Sequence, residues 1–313
     1  MDDSLQQWAR DRGGTIAWGS PEVVDSARAD VVARREAREL DEELFRETLA
    51  TVSRPALPEW ATSVIIVVTP KAAFWVGFDL GDRVLETILP PIYRHFRGTF
   101  EDVRRDLQVK VLAGARVEPI RAPLKAVAAR LGLVRYGRNN LTYAAGIGSY
   151  LQLCGYVTDA QLRGADRSPQ PPMLLPECDG CDICRLACPT DAIGADRVLL
   201  HAERCLTFAN ERPDPWPAWL PATSHHCLIG CLACQRCCPA NPRLEISRSG
   251  VTFSADETRA LLGDGTSIGW RNDDSFRRKI EELDLSDDEE PLLGRNLRAL
   301  LERRGQAPRV RTG

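Results

Sequence analysis

The arrangement of the cysteines constrains this chain more than any other feature of its sequence. Ten of the eleven cysteines lie between Cys178 and Cys238. Four of them, from Cys178 to Cys188, follow the pattern Cys-x2-Cys-x2-Cys-x3-Cys and precede a proline. This is the spacing of bacterial two-cluster ferredoxins, in which three cysteines bind one [4Fe–4S] cluster and the fourth binds the other. The sequence therefore predicts two [4Fe–4S] clusters and a role in electron transfer.

Two other uses of clustered cysteines fit the sequence less well. Disulfide frameworks are typical of small secreted domains, whereas this chain has 313 residues and begins with a charged segment rather than an apolar signal sequence. Structural zinc sites use two Cys-x2-Cys pairs that are separated by a loop. They do not use three cysteines at successive short intervals followed by a fourth and a proline. Cluster ligation is therefore favoured over both alternatives.

Charge and hydropathy predict a cytoplasmic protein. The net charge is −3, so no overall positive charge attracts nucleic acid or an anionic membrane. The longest strongly apolar stretch, residues 64–68, is far too short to cross a bilayer. We expect a soluble protein with no membrane partner, in a compartment that is reducing enough to keep its cysteines available for iron.

The residues before the cysteine run predict alternating strands and helices. Apolar residues recur at helical spacing over 22–54 without glycine or proline, which predicts one helix. The β-branched run 63–70 predicts a strand that is buried on both faces. Further predicted elements are a strand at 73–78, helices near 100–111 and 124–131, and strands at 141–144 and 150–158. This alternation indicates an α/β fold.

The same elements divide the chain into five segments. We predict an N-terminal helical segment at 1–59, an α/β cofactor-binding domain at 60–163, a linker at 164–172, a double-cluster domain at 173–242 and a helical C-terminal tail at 243–313. Gly146 and Gly148 form a Gly-x-Gly pair, but the third glycine and the strand–turn–helix context of a dinucleotide site are missing. A nicotinamide cofactor is therefore not expected.

The order of the motifs resembles the epoxyqueuosine reductase family. The shared features are Gly132, the loop 135–140, Gly148-Ser149-Tyr150, the first cysteine run, Arg204-Cys205 and the second cysteine motif at 231–241. The resemblance covers roughly residues 60–242. Members of that family are cobalamin-dependent iron–sulfur enzymes. The resemblance therefore implies a Rossmann-like α/β domain that holds a corrinoid, a two-cluster bacterial-type ferredoxin domain and a short helical tail.

The resemblance also implies which cysteines bind each cluster. The first cluster would be bound by Cys178, Cys181, Cys184 and Cys238, and the second by Cys188, Cys205, Cys231 and Cys234. Three cysteines remain, Cys154, Cys227 and Cys237, and each is expected to pack as a small apolar residue. Because Cys227 and Cys237 lie close to ligands in sequence, either could exchange roles with a neighbour.

The candidate cofactor-binding residues are Arg138, Asn139, Asn140 and Gly148. Arg138 keeps the positive charge of a family lysine, and the two asparagines offer amide donors to the amide-rich rim of a corrinoid. A turn that leads into a strand could use the same residues. The family has an aspartate proton donor, and counting back from Gly137 places Glu118 near that position. A buried glutamate could supply the proton, although a lone acid near a strand end is commonly a solvated surface group.

The function that follows is that of an iron–sulfur oxidoreductase. Low-potential electrons from an external donor of the ferredoxin or flavodoxin type would pass through both clusters to a cofactor, cobalamin, which reduces an unknown small or nucleoside-like substrate. The segment after Pro242 contains an acidic stretch and no dense basic stripe, so tRNA is expected to be a doubtful partner. The alternative is an electron carrier whose α/β domain has lost its cofactor and docks on a partner enzyme.

Overall fold

The computed structural model describes residues 2–53, 56–165, 168–195, 199–263, 273–285 and 290–306. The strands are β1 Thr15–Gly19, β2 Ser63–Pro70, β3 Ala73–Asp79, β4 Val84–Leu89, β5 Val117–Pro119, β6 Arg135–Tyr136, β7 Thr142–Tyr143, β8 Leu151–Thr158 and β9 Ile246–Phe253. The helices are α1 Asp2–Asp11, α2 Glu22–Glu36, α3 Glu42–Leu44, α4 Ala50–Ser53, α5 Phe96–Asp106, α6 Leu124–Arg130, α7 Ile183–Leu186, α8 Leu206–Asn210, α9 Ala233–Arg236, α10 Ala255–Leu262, α11 Asp274–Glu282 and α12 Glu290–Gln306. Part of the predicted linker and the chain after residue 306 lie outside the described residues.

The first sheet has the order β1-β2-β8-β5, and its three strand pairings are antiparallel. Side chains of β2 alternate between two apolar cores, as the two-residue period of a strand requires. Val64, Ile66 and Val68 face the core that α2 and α6 cover. Ile65 and Val67 face the core that α1 and α5 cover. The prediction of a strand buried on both faces is therefore confirmed.

The second sheet joins the C-terminal segment to the middle of the chain. Its order is β4-β3-β9, and β9 runs parallel to β3. Phe78 of β3 and Phe253 of β9 stack with ring centroids 5.0 Å apart, in an apolar core that α10, α11 and α12 complete. The predicted α/β class and helical tail are confirmed. The tail also contributes β9, a strand that the sequence analysis did not predict.

The predicted helix over 22–54 is interrupted. Helix α2 ends at Glu36, and Arg38 has a φ of 59°, which lies in the left-handed region and is incompatible with helix continuation. A new helical stretch begins where the Asp41 side chain accepts a hydrogen bond from the backbone N–H of Leu44. Such N-caps favour a helix start at that residue. The single-helix prediction is therefore wrong at residues 37–41.

Two elements of the first sheet region lead to the cluster domain. The hairpin β6–β7 carries residues 137–141 at its tip, and Tyr136 forms a bridge to Leu174 at the start of the cluster domain. Strand β8 begins directly after Ser149 and Tyr150, which contact the second cysteine motif. Within the described parts of the chain, no helix combines the length and the apolar character needed to cross a membrane.

Shortening a side chain at the centre of β2 should destabilise the whole first sheet. Ile66 has no exposed surface, so Ile66→Ala should lower stability by about 2–5 kcal/mol through lost burial and a residual cavity. The matched control is Val109→Ala, because Val109 is among the exposed apolar side chains and should change stability by only about 0.5 kcal/mol. Anaerobic urea unfolding followed by circular dichroism measures both. Equal effects of the two substitutions would contradict the assignment of β2 to the core.

Candidate metal centre

The first group of cysteines surrounds a cavity between α7 and the β6–β7 hairpin. Four cysteine side chains line it, namely Cys178, Cys181, Cys184 and Cys238. Three belong to the first cysteine run and the fourth comes from the second motif. Two-cluster ferredoxins cross their ligands in this way, so these four residues can hold one cubane. The assignment of individual ligands remains a prediction that this geometry favours.

The second group lies on the loops that precede α8 and α9. Burial is the main reason why the pKa of Cys234 is raised well above its ordinary value, and the nearby charges of Cys231, Cys205, Cys188 and Cys184 raise it further. Cys234 therefore lies near thiols of both groups, and its placement with Cys231, Cys205 and Cys188 in the second cubane stays a prediction. Cys188 Sγ accepts a hydrogen bond from the backbone N–H of Ala192 at 3.3 Å. Backbone donors of this kind are typical of cluster ligands.

The thiols must lose their protons before iron can bind. Burial raises the pKa of Cys184 to about 11 and that of Cys231 to about 12. Iron supplies the positive charge that stabilises the buried thiolates, so cluster binding is coupled to proton release. No three of the described His, Cys, Asp or Glu residues lie close enough to share a single metal ion. A cubane places four irons between its sulfurs and separates its ligands more widely.

The three remaining cysteines differ from the two groups. Cys154 has no exposed surface and packs against the core of the first sheet, where burial raises its pKa to about 12. Cys227 is also buried and contacts an apolar cluster that includes Ile88. Their expected role as small apolar residues is confirmed. Cys237 is only partly buried, and its Sγ points at the carbonyl oxygens of Ile183 and Cys234, 3.8 and 3.7 Å away.

Polar side chains of the cluster domain bind the backbone at the start of β8. Asn241 Oδ1 accepts a hydrogen bond from the N–H of Ser149 at 2.7 Å. Gln235 Nε2 donates to the carbonyl oxygen of Ser149 at 3.1 Å, and the Tyr150 hydroxyl donates to the carbonyl of Gln235 at 3.2 Å. These hydrogen bonds of Ser149, Tyr150, Gln235 and Asn241 hold the cluster domain against the first sheet, and we call them the joint. The sequence analysis quoted Gln235 and Asn241 as motif residues but assigned them no role.

Gly148 belongs to this joint and does not line the first cavity. Its φ is +72°, and a Cβ at this position would lie 2.4 Å from Oδ1 of Asn241. Asn140 also lies outside the cavity lining, and its carbonyl oxygen accepts a hydrogen bond from Lys125 Nζ at 3.2 Å. The structure therefore places two of the four candidate cofactor-binding residues in structural roles.

Arg138 and Asn139, the other two candidates, line the first cavity. The backbone N–H of Arg138 donates to Cys178 Sγ at 3.3 Å, and its Nη2 donates to the Cys178 carbonyl at 3.2 Å. Asn139 is almost fully buried, and its Nδ2 donates to the Tyr143 hydroxyl at 2.8 Å and to the Cys234 carbonyl at 3.4 Å. Both residues therefore contact the cysteine loops.

Glu118 lies far from the cysteines of the two groups. It is on the edge strand β5, its side chain is 47% exposed, and Arg116 pairs with it at 2.8 Å. Its register partner is Val157, eight residues beyond Ser149 along β8. At the usual rise of a strand, this separation is roughly 26 Å. The exposure and the ion pair match the alternative of a solvated surface group, and a catalytic role of Glu118 stays an untested prediction.

Four exposed apolar side chains belong to segments of the cluster domain, and we call them the apolar rim. They are Met173, Leu174, Ile183 and Leu186, of which Leu186 is 76% exposed and Ile183 lines the first cavity. Beside it, Arg138 Nε is buried and has no hydrogen-bond partner within the described residues. A corrinoid combines a broad apolar ring with acceptor groups at its edge. The apolar side chains and the unpaired N–H of Arg138 fit such a group, and Ile183 and Arg138 both line the first cavity.

Comparison with known proteins identifies related sequences and folds. The family described as "4Fe-4S double cluster binding domain" matches residues 177–241. The epoxyqueuosine reductase of Gloeobacter violaceus is 32% identical over 130 residues, which are 41% of this chain and 38% of that protein. Over this matched region the chain is similar to epoxyqueuosine reductases. The predicted resemblance and the double-cluster domain are therefore confirmed, although the matched region spans about two fifths of that curated relative.

Solved structures support the same fold. The Bacillus subtilis epoxyqueuosine reductase, solved with its catalytic loop swung out of the active site, has a TM-score of 0.65 at 20% identity. An epoxyqueuosine reductase solved with an epoxyqueuosine-modified tRNA-Tyr stem loop also has a TM-score of 0.65, at 19% identity. Each match covers 98% of this chain and 82% of the other. The fold is thus shared along almost the whole chain.

The expectation that tRNA is a doubtful partner is wrong. It was based on the acidic C-terminal stretch and the absence of a dense basic stripe. A neighbour with the same fold was solved together with a tRNA stem loop. Contacts with a stem loop depend on the side chains that meet it, and a net negative charge of the whole chain does not decide them.

Gly148 and Gly146 offer a matched test of the joint between the sheet and the cluster domain. Both have a positive φ, but only Gly148 has a close neighbour, since nothing lies within 4 Å of a Cβ placed at Gly146. Gly146→Ala should cost about 1–2 kcal/mol through backbone strain alone. Gly148→Ala should cost more, because Asn241 must also move. Thermal unfolding of both variants checks this, and equal losses would contradict a tight joint at Gly148.

Adjacent cysteines should differ in their effect on the first cluster. Cys238 lines the cavity, whereas the Cys237 sulfur faces backbone carbonyls. Cys238→Ser should therefore lose the first cluster, and Cys237→Ser should keep both. Iron analysis and electron paramagnetic resonance of anaerobically purified protein measure the outcome. Loss of a cluster in the Cys237 variant alone would show that the two residues have exchanged roles.

Proposed function

We propose that the protein is an iron–sulfur reductase that removes oxygen from a modified nucleoside of tRNA, with a corrinoid held at the apolar rim. The observation that carries the proposal is the set of four cysteines from two motifs around the first cavity, which Arg138 and Ile183 of the apolar rim also line. Homology to named reductases covers only part of those proteins, so the substrate and the activity are proposals for this chain.

The electron count agrees with this reaction. Reductive removal of an epoxide oxygen takes up two electrons and two protons, and it yields an alkene and water. Each [4Fe–4S] cluster exchanges one electron, so two reduced clusters carry the two electrons of one turnover. In the proposed assignment, Cys188 of the first run binds the second cluster, and Cys238 of the second motif binds the first cluster. This crossing would hold the two clusters close together, so electrons would pass between them over a short distance.

The chain's own residues would hold and shield the cofactor. The apolar rim would cover one face of the corrinoid and exclude water from it. Arg138 Nε, buried and without a partner among the described residues, would donate a hydrogen bond to a carbonyl group at the edge of the ring. When bound and reduced, the corrinoid supplies a strongly nucleophilic, low-potential cobalt centre.

Local charge near the cavity supports an RNA substrate. Arg135 and Arg236 are exposed on β6 and α9, which flank the cysteine loops. Phosphate contacts from such side chains position an RNA, and they are available even though the chain as a whole is acidic. The tRNA stem loop seen with a protein of the same fold supports the same substrate class. The exposed arginines and the apolar rim would then face the modified nucleoside together.

The decisive experiment is a single assay with matched variants. Anaerobically reconstituted protein with cobalamin and a chemical reductant should convert epoxyqueuosine in tRNA to a product lighter by one oxygen, measured by mass spectrometry of the digested nucleosides. Arg138→Ala should weaken cobalamin binding at least several-fold, because it removes the unpaired donor. Glu118→Gln should leave turnover unchanged, because this carboxylate is distant and ion-paired.

Three other outcomes of this assay would each contradict a different part of the proposal. Absence of cobalamin binding, together with normal cluster reduction, would replace the proposal with the electron-carrier alternative. Cobalamin binding without turnover on tRNA would retain the cofactor and reject the substrate. A slower rate in Glu118→Gln would restore that residue to the mechanism.

A further inference from the structure

The loop that follows the first cysteine run brings two hydrogen-bond donors to the sulfur of Cys188. The hydroxyl oxygen of Thr190 lies 3.6 Å from Cys188 Sγ, and the backbone N–H of Ala192 donates to the same sulfur at 3.3 Å. A hydrogen bond to sulfur is longer than one between nitrogen and oxygen, because the sulfur atom is larger. A side chain and the backbone therefore both reach the sulfur of this cysteine.

Contacts with two later segments hold this loop in place. The carbonyl oxygen of Pro189 accepts a hydrogen bond from the Ser224 hydroxyl at 3.3 Å, and that of Thr190 accepts one from Arg204 Nε at 3.1 Å. Asp191 has a φ of 53°, in the left-handed region that aspartate adopts more readily than most residues. The position of the Thr190 side chain is thus set by the surrounding fold and does not depend on the sulfur alone.

The direction of the hydrogen bond between Thr190 and Cys188 follows from the chemistry of ligation. Thr190 is only 5% exposed, and a buried hydroxyl without a partner destabilises a protein. Among the described residues, Cys188 Sγ is the hydrogen-bond partner of this hydroxyl. A free thiol could donate or accept, but a sulfur that binds iron has lost its proton. When the cluster is bound, the hydroxyl must therefore be the donor and the sulfur the acceptor.

We propose that Thr190 raises the reduction potential of the second cluster by donating a hydrogen bond to Cys188 Sγ. This inference rests on the ligand assignment of the proposed function, in which Cys188 binds that cluster. Reduction by one electron adds negative charge to the cluster, and the sulfur atoms share this charge. A donor at one of these sulfurs stabilises the reduced state more than the oxidised state and so raises the potential. Thr190 acts through the cluster and is a positioning residue.

The test of this role is a midpoint potential rather than a rate. Thr190→Val keeps the shape of the side chain without its hydroxyl, so the potential of the second cluster should fall and that of the first should stay unchanged. Thr190→Ser keeps the hydroxyl, and its second-cluster potential should stay close to that of the native protein. An anaerobic redox titration followed by electron paramagnetic resonance measures both potentials. The signal that Cys205→Ser alters identifies the second cluster under the same ligand assignment.

Two further comparisons separate the effect of the hydroxyl from the effect of packing. Thr190→Ala and Thr190→Ser differ only by the hydroxyl, so the alanine variant should have the lower second-cluster potential of the two. Thr258→Val is a matched control, because Thr258 is 1% exposed and its hydroxyl donates to the carbonyl oxygen of Phe253 at 3.4 Å. This control also removes a buried hydroxyl, but it should shift neither potential.

A measurement on the native protein tests the hydrogen bond without relying on any variant. After brief transfer to D₂O, electron nuclear double resonance of the reduced protein should show an exchangeable deuteron coupled to the second cluster. Hydroxyl protons exchange with solvent faster than the N–H protons of a hydrogen-bonded backbone, so the short exposure selects the hydroxyl. If the variants that lack the hydroxyl do not assemble both clusters, this measurement decides, and an absent deuteron would overturn the inference.

Iron analysis of every sample separates this inference from the proposed function. If the native protein contains fewer than two clusters, the proposed function fails and the inference fails with it. If both clusters are present and the second potential is unchanged in Thr190→Val, or falls equally in Thr190→Ser, the role of the Thr190 hydroxyl is overturned while the two-cluster assignment stands. A shift of the first cluster alone would also overturn the inference, because it would place Cys188 with the first group.

Discussion

The meeting of the two cysteine motifs is the constraint on which the rest of the structure depends. Cys238 of the second motif lines the first cavity together with three cysteines of the first run, so this cavity forms only when both motifs have come together. Burial raises the pKa of the thiols, and the charge of bound iron would offset that cost. Under the proposed ligand assignment, the folding of residues 177–241 and the binding of iron would be one coupled process.

The position of the clusters relative to the rest of the chain depends on a small polar joint. Asn241 and Gln235, which follow the second-group cysteines, bind the backbone of Ser149 at the start of β8. From the other side, the hairpin loop places the backbone N–H of Arg138 against Cys178 Sγ, and Tyr143 lines the same cavity. A change in the hairpin can thus reach the first cluster directly, whereas the edge strand that carries Glu118 is about eight strand residues away. Chemistry is expected at the hairpin end of the sheet.

Much of the local structure was predictable because it depends on short-range patterns. The β-branched run of β2 and the cysteine spacing each identify their own element, since a strand period and a cluster motif are read within about ten residues. The break after α2 was not predicted, because the capping role of Asp41 competes with a helical pattern that continues on both sides of it. Strand β9 was missed because its partner β3 lies far away in sequence.

By itself, the sequence determined the metal chemistry and the family resemblance, because thiolate ligands at fixed spacings leave few alternatives. Only the tertiary structure decided which of the candidate polar residues face the first cavity. Arg138 and Asn139 line it, whereas Gly148 serves the joint, and Glu118 is ion-paired at a distant sheet edge. Such roles depend on the antiparallel register of β5 and β8 and on side-chain directions. Distant strands set that geometry, and no local pattern encodes it.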